Sequence, residues 1–236
     1  MKTAPFVYAL VLGAALEARP ASVEVILKDA KGAAIEDAVV WAVSKAGPLP
    51  LRRREVAVGQ KDKTFIPFVT VVQAGQPVQF PNHDPIRHHV YSFSAAKPFE
   101  IKLYAGTPVA PIVFDKTGDV VLGCNIHDHM LAYVFVVDTP YFAKSGKEGR
   151  ARLEGLPAGD YDLHAWHYAQ EQAAAAQPVR LRADEAAGAG FTLVLQPVPR
   201  GYLVDRHRIG KSLEKSHEEE IWRAAACRQA ISPFHR

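Results

Sequence analysis

Residues 22–28 (SVEVILK) alternate apolar and polar side chains, the period of a strand with one buried face. A turn follows at Asp29-Ala30-Lys31-Gly32, and residues 39–43 (VVWAV) read as a second strand, so the pattern predicts an opening β-hairpin. Short β-rich runs then succeed one another at residues 69–72, 78–80, 88–93, 99–104, 109–114, 120–124 and 131–137. Gly75-Gln76-Pro77, Pro81-Asn82-His83-Asp84-Pro85 and Lys116-Thr117-Gly118-Asp119 divide them as turns. Short strands at this spacing argue for a sandwich or barrel. From residue 139 the composition shifts. Residues 152–156, a Pro157-Ala158-Gly159-Asp160 turn, and residues 161–166, 179–181 and 191–195 predict a second small β-sandwich, which the N-terminal hairpin can complete. The alanine run at 173–176 reads as a loop or a short helical turn. No helical period is sustained before the tail, and the fold class is all-β.

The ends differ from this pattern. Lys2, an apolar run at 6–16 and the small residues after it have the form of a secretory signal peptide over residues 1–21, cleaved after Ala18 or Ala21. That run is too short to span a bilayer, so no stable membrane span is expected. Export places the protein in a periplasm or outside the cell. Residues 200–236 form a charged tail with a weak helical stripe at Leu213, Ile221, Ala224 and Ala225. The net charge of +3 in 236 residues is too small to argue for nucleic acid. The Arg52-Arg53-Arg54 cluster, with no aromatic residue interleaved, reads as a solvated loop. Two cysteines, Cys124 and Cys227, do not make a disulfide framework.

The chemistry concentrates in residues 122–130 (LGCNIHDHM). Cys124, His127 and Met130 form C-x2-H-x2-M, with Cys124 ending a predicted strand and the other two in the loop after it. Thiolate and thioether favour soft or borderline metals, imidazole suits copper, and two imidazoles with one thiolate and a weak methionine is the blue-copper set. The missing histidine lies in residues 80–94 (FPNHDPIRHHVYSFS). Only one of His88 and His89 can face the metal, because neighbours in a strand point to opposite sides.

These segments resemble the cupredoxins, the plastocyanin and amicyanin family of small blue copper proteins. The matching residues are 65–137. The upstream histidine at the head of a strand corresponds to His88, with His89 where the family has Asn. The amicyanin-like C-x2-H-x2-M loop corresponds to Cys124, His127 and Met130. Larger cupredoxin-domain proteins associated with methylamine utilisation show similar "FPN", "HHVYSFS" and "GCNIHD" segments. The resemblance implies a Greek-key β-sandwich over residues 60–138 that binds one type 1 copper ion through His88, Cys124, His127 and Met130. The hairpin of residues 22–55 and the small sandwich of 139–199 lie outside it. It further implies a carrier of single electrons, not an enzyme, with a transient redox protein as partner. Asn82, His89 and Asn125 are candidates for supporting the ligands, with Asn82 or His89 tying the ligand loops in place of the family's Asn. Ile126 and Leu131 are candidates for an apolar docking rim. His83, Asp128 and His129 read as solvated loop residues, and His164 and His167 as structural histidines. Two other readings stay open: a copper carrier that delivers metal, and a thiol enzyme with Cys124 as nucleophile and His127 as base.

Overall fold

The structure, a computed structural model, describes residues 20–108 and 110–197. The expectations for residues 1–19 and for the tail, Cys227 included, lie outside them. Among the described residues no helix is long and apolar enough to cross a membrane. The described residues form sixteen strands that build two packed bodies, one inserted into the other.

The outer body uses both ends of the described chain. One sheet has the order β13–β1–β16, from Arg150–Leu156, Ala21–Asp29 and Ala186–Leu193. Its partner has the order β12–β2–β14–β15, from Phe142–Lys144, Val39–Ser44, Gly159–Trp166 and Gln177–Leu181. The inward residues of β1 (Val23, Val25, Leu27) pack with those of β2 (Val40, Ala42) and β14 (Tyr161, Leu163, Ala165) in one core. β1 and β2 therefore do not form the expected hairpin. Their apolar faces meet in that one core from opposite sides, so they lie in opposite sheets. The turn at Asp29, whose carboxylate accepts from the N–H groups of Lys31 (2.9 Å) and Ala33 (2.8 Å), starts this crossing. Ala21 is buried and paired with Leu156, so cleavage after Ala18 leaves β1 whole and cleavage after Ala21 removes its first residue.

The inserted body is a five-stranded sheet of order β5–β11–β10–β7–β8, from Val69–Gln73, Leu131–Val137, Gly118–Cys124, His88–Ser92 and Phe99–Tyr104. β5 and β11 run parallel and the other neighbours antiparallel. Two short pairs join it: β3–β4 (Gly59–Lys61, Thr64–Ile66) and β6–β9 (Gln76–Val78, Ile112–Phe114). Phe65, Val78, Phe80 and Phe114 pack onto the sheet's inner face against Val90, Leu122 and Val134.

β11 buries both its faces. Ala132, Val134 and Val136 enter the inserted core, while Phe135 and Val137 join Val39 and Val69 in a seam between the bodies. Phe135 stacks on Trp166 with ring centroids 4.4 Å apart, and Tyr133 on Tyr168 at 5.1 Å. At the rim, Lys144 Nζ reaches both Asp37 Oδ1 (2.8 Å) and the carbonyl of Val69 (3.0 Å). The arginine cluster is exposed but not idle: the guanidinium of Arg52 lies over the Tyr141 ring and that of Arg54 over Phe142.

Candidate metal centre

The period of two along β10 puts Cys124 on the same inward face as Val120 and Leu122. On β7 the same alternation turns His88, Val90 and Ser92 inward. β7 and β10 pair with Cys124 opposite Val90, so His88 lies diagonally across from the thiol. The chain then leaves β10 into a tight loop, closed by a hydrogen bond from Met130 N–H to the His127 carbonyl (3.0 Å). This turn brings the His127 ring back over the strand end. Its centroid lies 4.9 Å from that of His88.

Three donors converge. Cys124 Sγ lies 3.8 Å from His88 Nδ1 and 3.6 Å from His127 Nδ1. A trigonal site with metal–nitrogen bonds of ~2.0 Å and a metal–sulfur bond of ~2.3 Å requires sulfur–nitrogen separations of about 3.7 Å. Both sulfur–nitrogen separations match that requirement, and the three ligand atoms all lie within 4.8 Å of one another. Cys124 is 2% exposed and His88 fully buried, whereas His127 is partly exposed. Met130 is buried in the same apolar core as Cys124.

The other expected residues fall in different places. His89 is on the opposite face of β7, where Nε2 meets Glu100 Oε1 at 3.0 Å. Asn125, Asp128 and His129 are exposed in the loop, as is His83 further upstream. Ile126 is exposed beside His127, but Leu131 is buried and offers no rim. Asn82 is buried and organises the upstream loop. Its Oδ1 accepts from the Asp84 N–H (2.9 Å), and its Nδ2 donates to the carbonyls of Ile86 (2.8 Å) and Tyr104 (3.2 Å).

That loop delivers a residue the sequence pattern did not single out. Asp84 Oδ2 lies 2.7 Å from His88 Nε2. Burial pushes the Asp84 carboxyl up, but the N–H groups of Lys63 and Asp62 and the His88 ring together outweigh it and hold the carboxyl below its ordinary value. His127 is lowered by burial first, then by the neighbouring His88, Lys63 and His129, which favours the neutral imidazole a metal needs. Burial also pushes the Tyr104 hydroxyl up to about 12, and it donates to the Phe80 carbonyl (2.7 Å).

No family model and no curated protein matches the chain. Among solved structures it is similar to a copper-containing nitrite reductase from Thermus scotoductus SA-01 (25% identity, TM-score 0.34), over 39% of this chain and 25% of that one. It is similar to amicyanin from Paracoccus versutus (20% identity, TM-score 0.31), over 41% of this chain and 91% of that one. A purple cupredoxin from Nitrosopumilus maritimus (17% identity, TM-score 0.32) matches 35% of this chain over its whole length. The described residues form an all-β fold. The convergent residues all belong to the inserted body: its β7 begins with one histidine, its β10 ends with the cysteine, and the loop to β11 carries the other histidine. The chain spans only a quarter of the nitrite reductase's length.

Proposed function

We propose that this protein is an exported blue-copper electron carrier. One type 1 copper ion is held by His88, Cys124, His127 and Met130, and single electrons pass between redox partners in the periplasm or outside the cell. The observation that carries this reading is the pair of Sγ–Nδ1 separations, 3.8 and 3.6 Å, set by the β7–β10 pairing and by the loop that returns His127. Copper, when bound, supplies a one-electron couple. The chain's part is to hold the ligands still in both oxidation states. His88 and Cys124 are locked by the β7–β10 ladder. The partly exposed edge of His127, with exposed Ile126 beside it, is the point of electron exit and of brief partner docking. Such encounters bury little surface.

The burial of His88 and Cys124 favours retention of the ion over delivery, since release requires opening a paired sheet. It also disfavours a thiol enzyme, because a nucleophile must reach its substrate. Copper(II) titration tests the reading. An intense thiolate-to-copper band at one equivalent, lost in Cys124→Ser, together with reversible one-electron voltammetry, is the expected result. A colourless protein that binds only copper(I) indicates delivery, and absence of copper binding overturns the proposal. Mass analysis of the mature N-terminus from a cell fraction tests export.

A further inference from the structure

The His88 ring is engaged at both nitrogens: Nδ1 faces the thiol and Nε2 meets Asp84. Asp84 is itself held from two sides. Asn82 Oδ1 takes its N–H. Its carboxylate accepts from the N–H of Asp62 (2.6 Å, to Oδ1) and of Lys63 (2.9 Å, to Oδ2). These two residues are the whole turn between β3 and β4, where Lys61 pairs with Thr64.

The turn is unusual in its residues. Asp62 and Lys63 have φ of +52° and +56°, and a two-residue turn with both φ positive normally takes Asn-Gly or two glycines. Side chains in the left-handed region cost energy and persist where the surroundings demand them. Here the strained turn directs two successive N–H groups onto one carboxylate, which in turn grips a buried ligand ring. Simple bracing of the upstream loop needs no charge at this point, because Asn82 already ties it to Ile86 and Tyr104.

We propose that Asp84 is a positioning residue that sets the reduction potential of the copper site, with the β3–β4 turn as its support. This rests on the blue-copper reading. A carboxylate accepting the Nε2 proton makes the imidazole a stronger donor through Nδ1. A negative charge next to a water-poor site stabilises the doubly charged ion more than the singly charged one. Asp84 therefore favours the oxidised state and lowers the potential. It also fixes the tautomer, with the proton on Nε2 and Nδ1 free for the metal.

The test compares copper(II) and copper(I) affinities, by chelator competition, for the full chain, Asp84→Asn and Asp84→Glu. The supporting outcome in Asp84→Asn is a copper(II) affinity that falls at least tenfold more than the copper(I) affinity, a rise in midpoint potential of ~59 mV or more. Asp84→Glu, which keeps the charge, recovers most of the difference. Equal losses for both ions, with an unchanged potential, overturn the proposal and leave Asp84 a structural brace. If the unsubstituted protein binds no copper, the blue-copper reading fails and this one with it. Should Asp84→Asn not fold, NMR of the unsubstituted copper(I) protein decides. A slowly exchanging, far-downfield proton on His88 Nε2 supports the proposal, and an Nε2 without such a proton overturns it.

Discussion

Met130 and His167 are both buried, and burial acts on them in different ways. Met130 fills the core beside Cys124. In the metal-free protein, Met130→Leu keeps the volume and should cost less than about 1.5 kcal/mol, whereas Met130→Ala should cost about 2–5 kcal/mol. Urea denaturation measures both. In the copper-loaded protein, Met130→Leu should still change the visible spectrum, which separates ligation from packing. His167 is held neutral by burial, which pushes its pKa down to about 4 against the weaker opposing pull of the Glu36 carbonyl and Asp37. Its Nδ1 accepts the Ala169 N–H (3.2 Å), a bond that protonation there would forfeit. In the unfolded chain the ring takes its proton near its usual ~6.5. The unfolded state thus binds more protons between these values. Stability is full above about pH 6.5 and falls as the pH drops towards 4, by about 3 kcal/mol over the window. Denaturation at a series of pH values should show that slope, and His167→Gln should flatten it. At this scale much was legible in the sequence. Spacing exposes Cys124 and His127, and strand alternation separates His88 from His89. Asp84 was not, because its contact with His88 depends on an Asn82 turn and a distant hairpin, neither of which has a period.

β8 was legible to the residue from its alternation, and β11, which buries both faces, from its unbroken apolar run. β3, β4 and β12 are three residues each and too short to show a period. The hairpin expected from β1 and β2 failed for another reason: alternation reports that a face is buried, not what buries it. One glycine fixes how β1 meets its neighbours. Gly149 has φ +66°, and a Cβ there would stand 2.4 Å from the Leu27 carbonyl oxygen. Its own carbonyl accepts the Leu27 N–H (2.7 Å). Gly149→Ala combines left-handed strain with a backbone clash and should cost about 2–4 kcal/mol in urea denaturation. A loss under about 0.5 kcal/mol, the range of ordinary surface changes, would show that the turn is not needed.

The two bodies meet through an aromatic seam that local patterning could not foretell, because Phe135 and Trp166 each read simply as residues of their own strands. Removing the Phe135 ring should cost about 3–5 kcal/mol and loosen the coupling between the bodies. Phe135→Ala should therefore unfold in two steps where the parent chain unfolds in one, as seen, with Trp222→Phe in both chains, by comparing tryptophan fluorescence, then reporting Trp41 and Trp166 of the outer body, with the copper absorption of the inserted one. The parallel pairing of β1 with β16 has a consequence for the order in which the chain is made. Among the described residues the first strand to emerge waits for the last, while every strand of the inserted body is present by residue 137. A nascent chain can thus complete its ligand set while β1 and β2 still lack their partners. A product cut short near residue 140 would carry all four proposed ligands and still expose unpaired strand edges, the feature that invites aggregation and clearance.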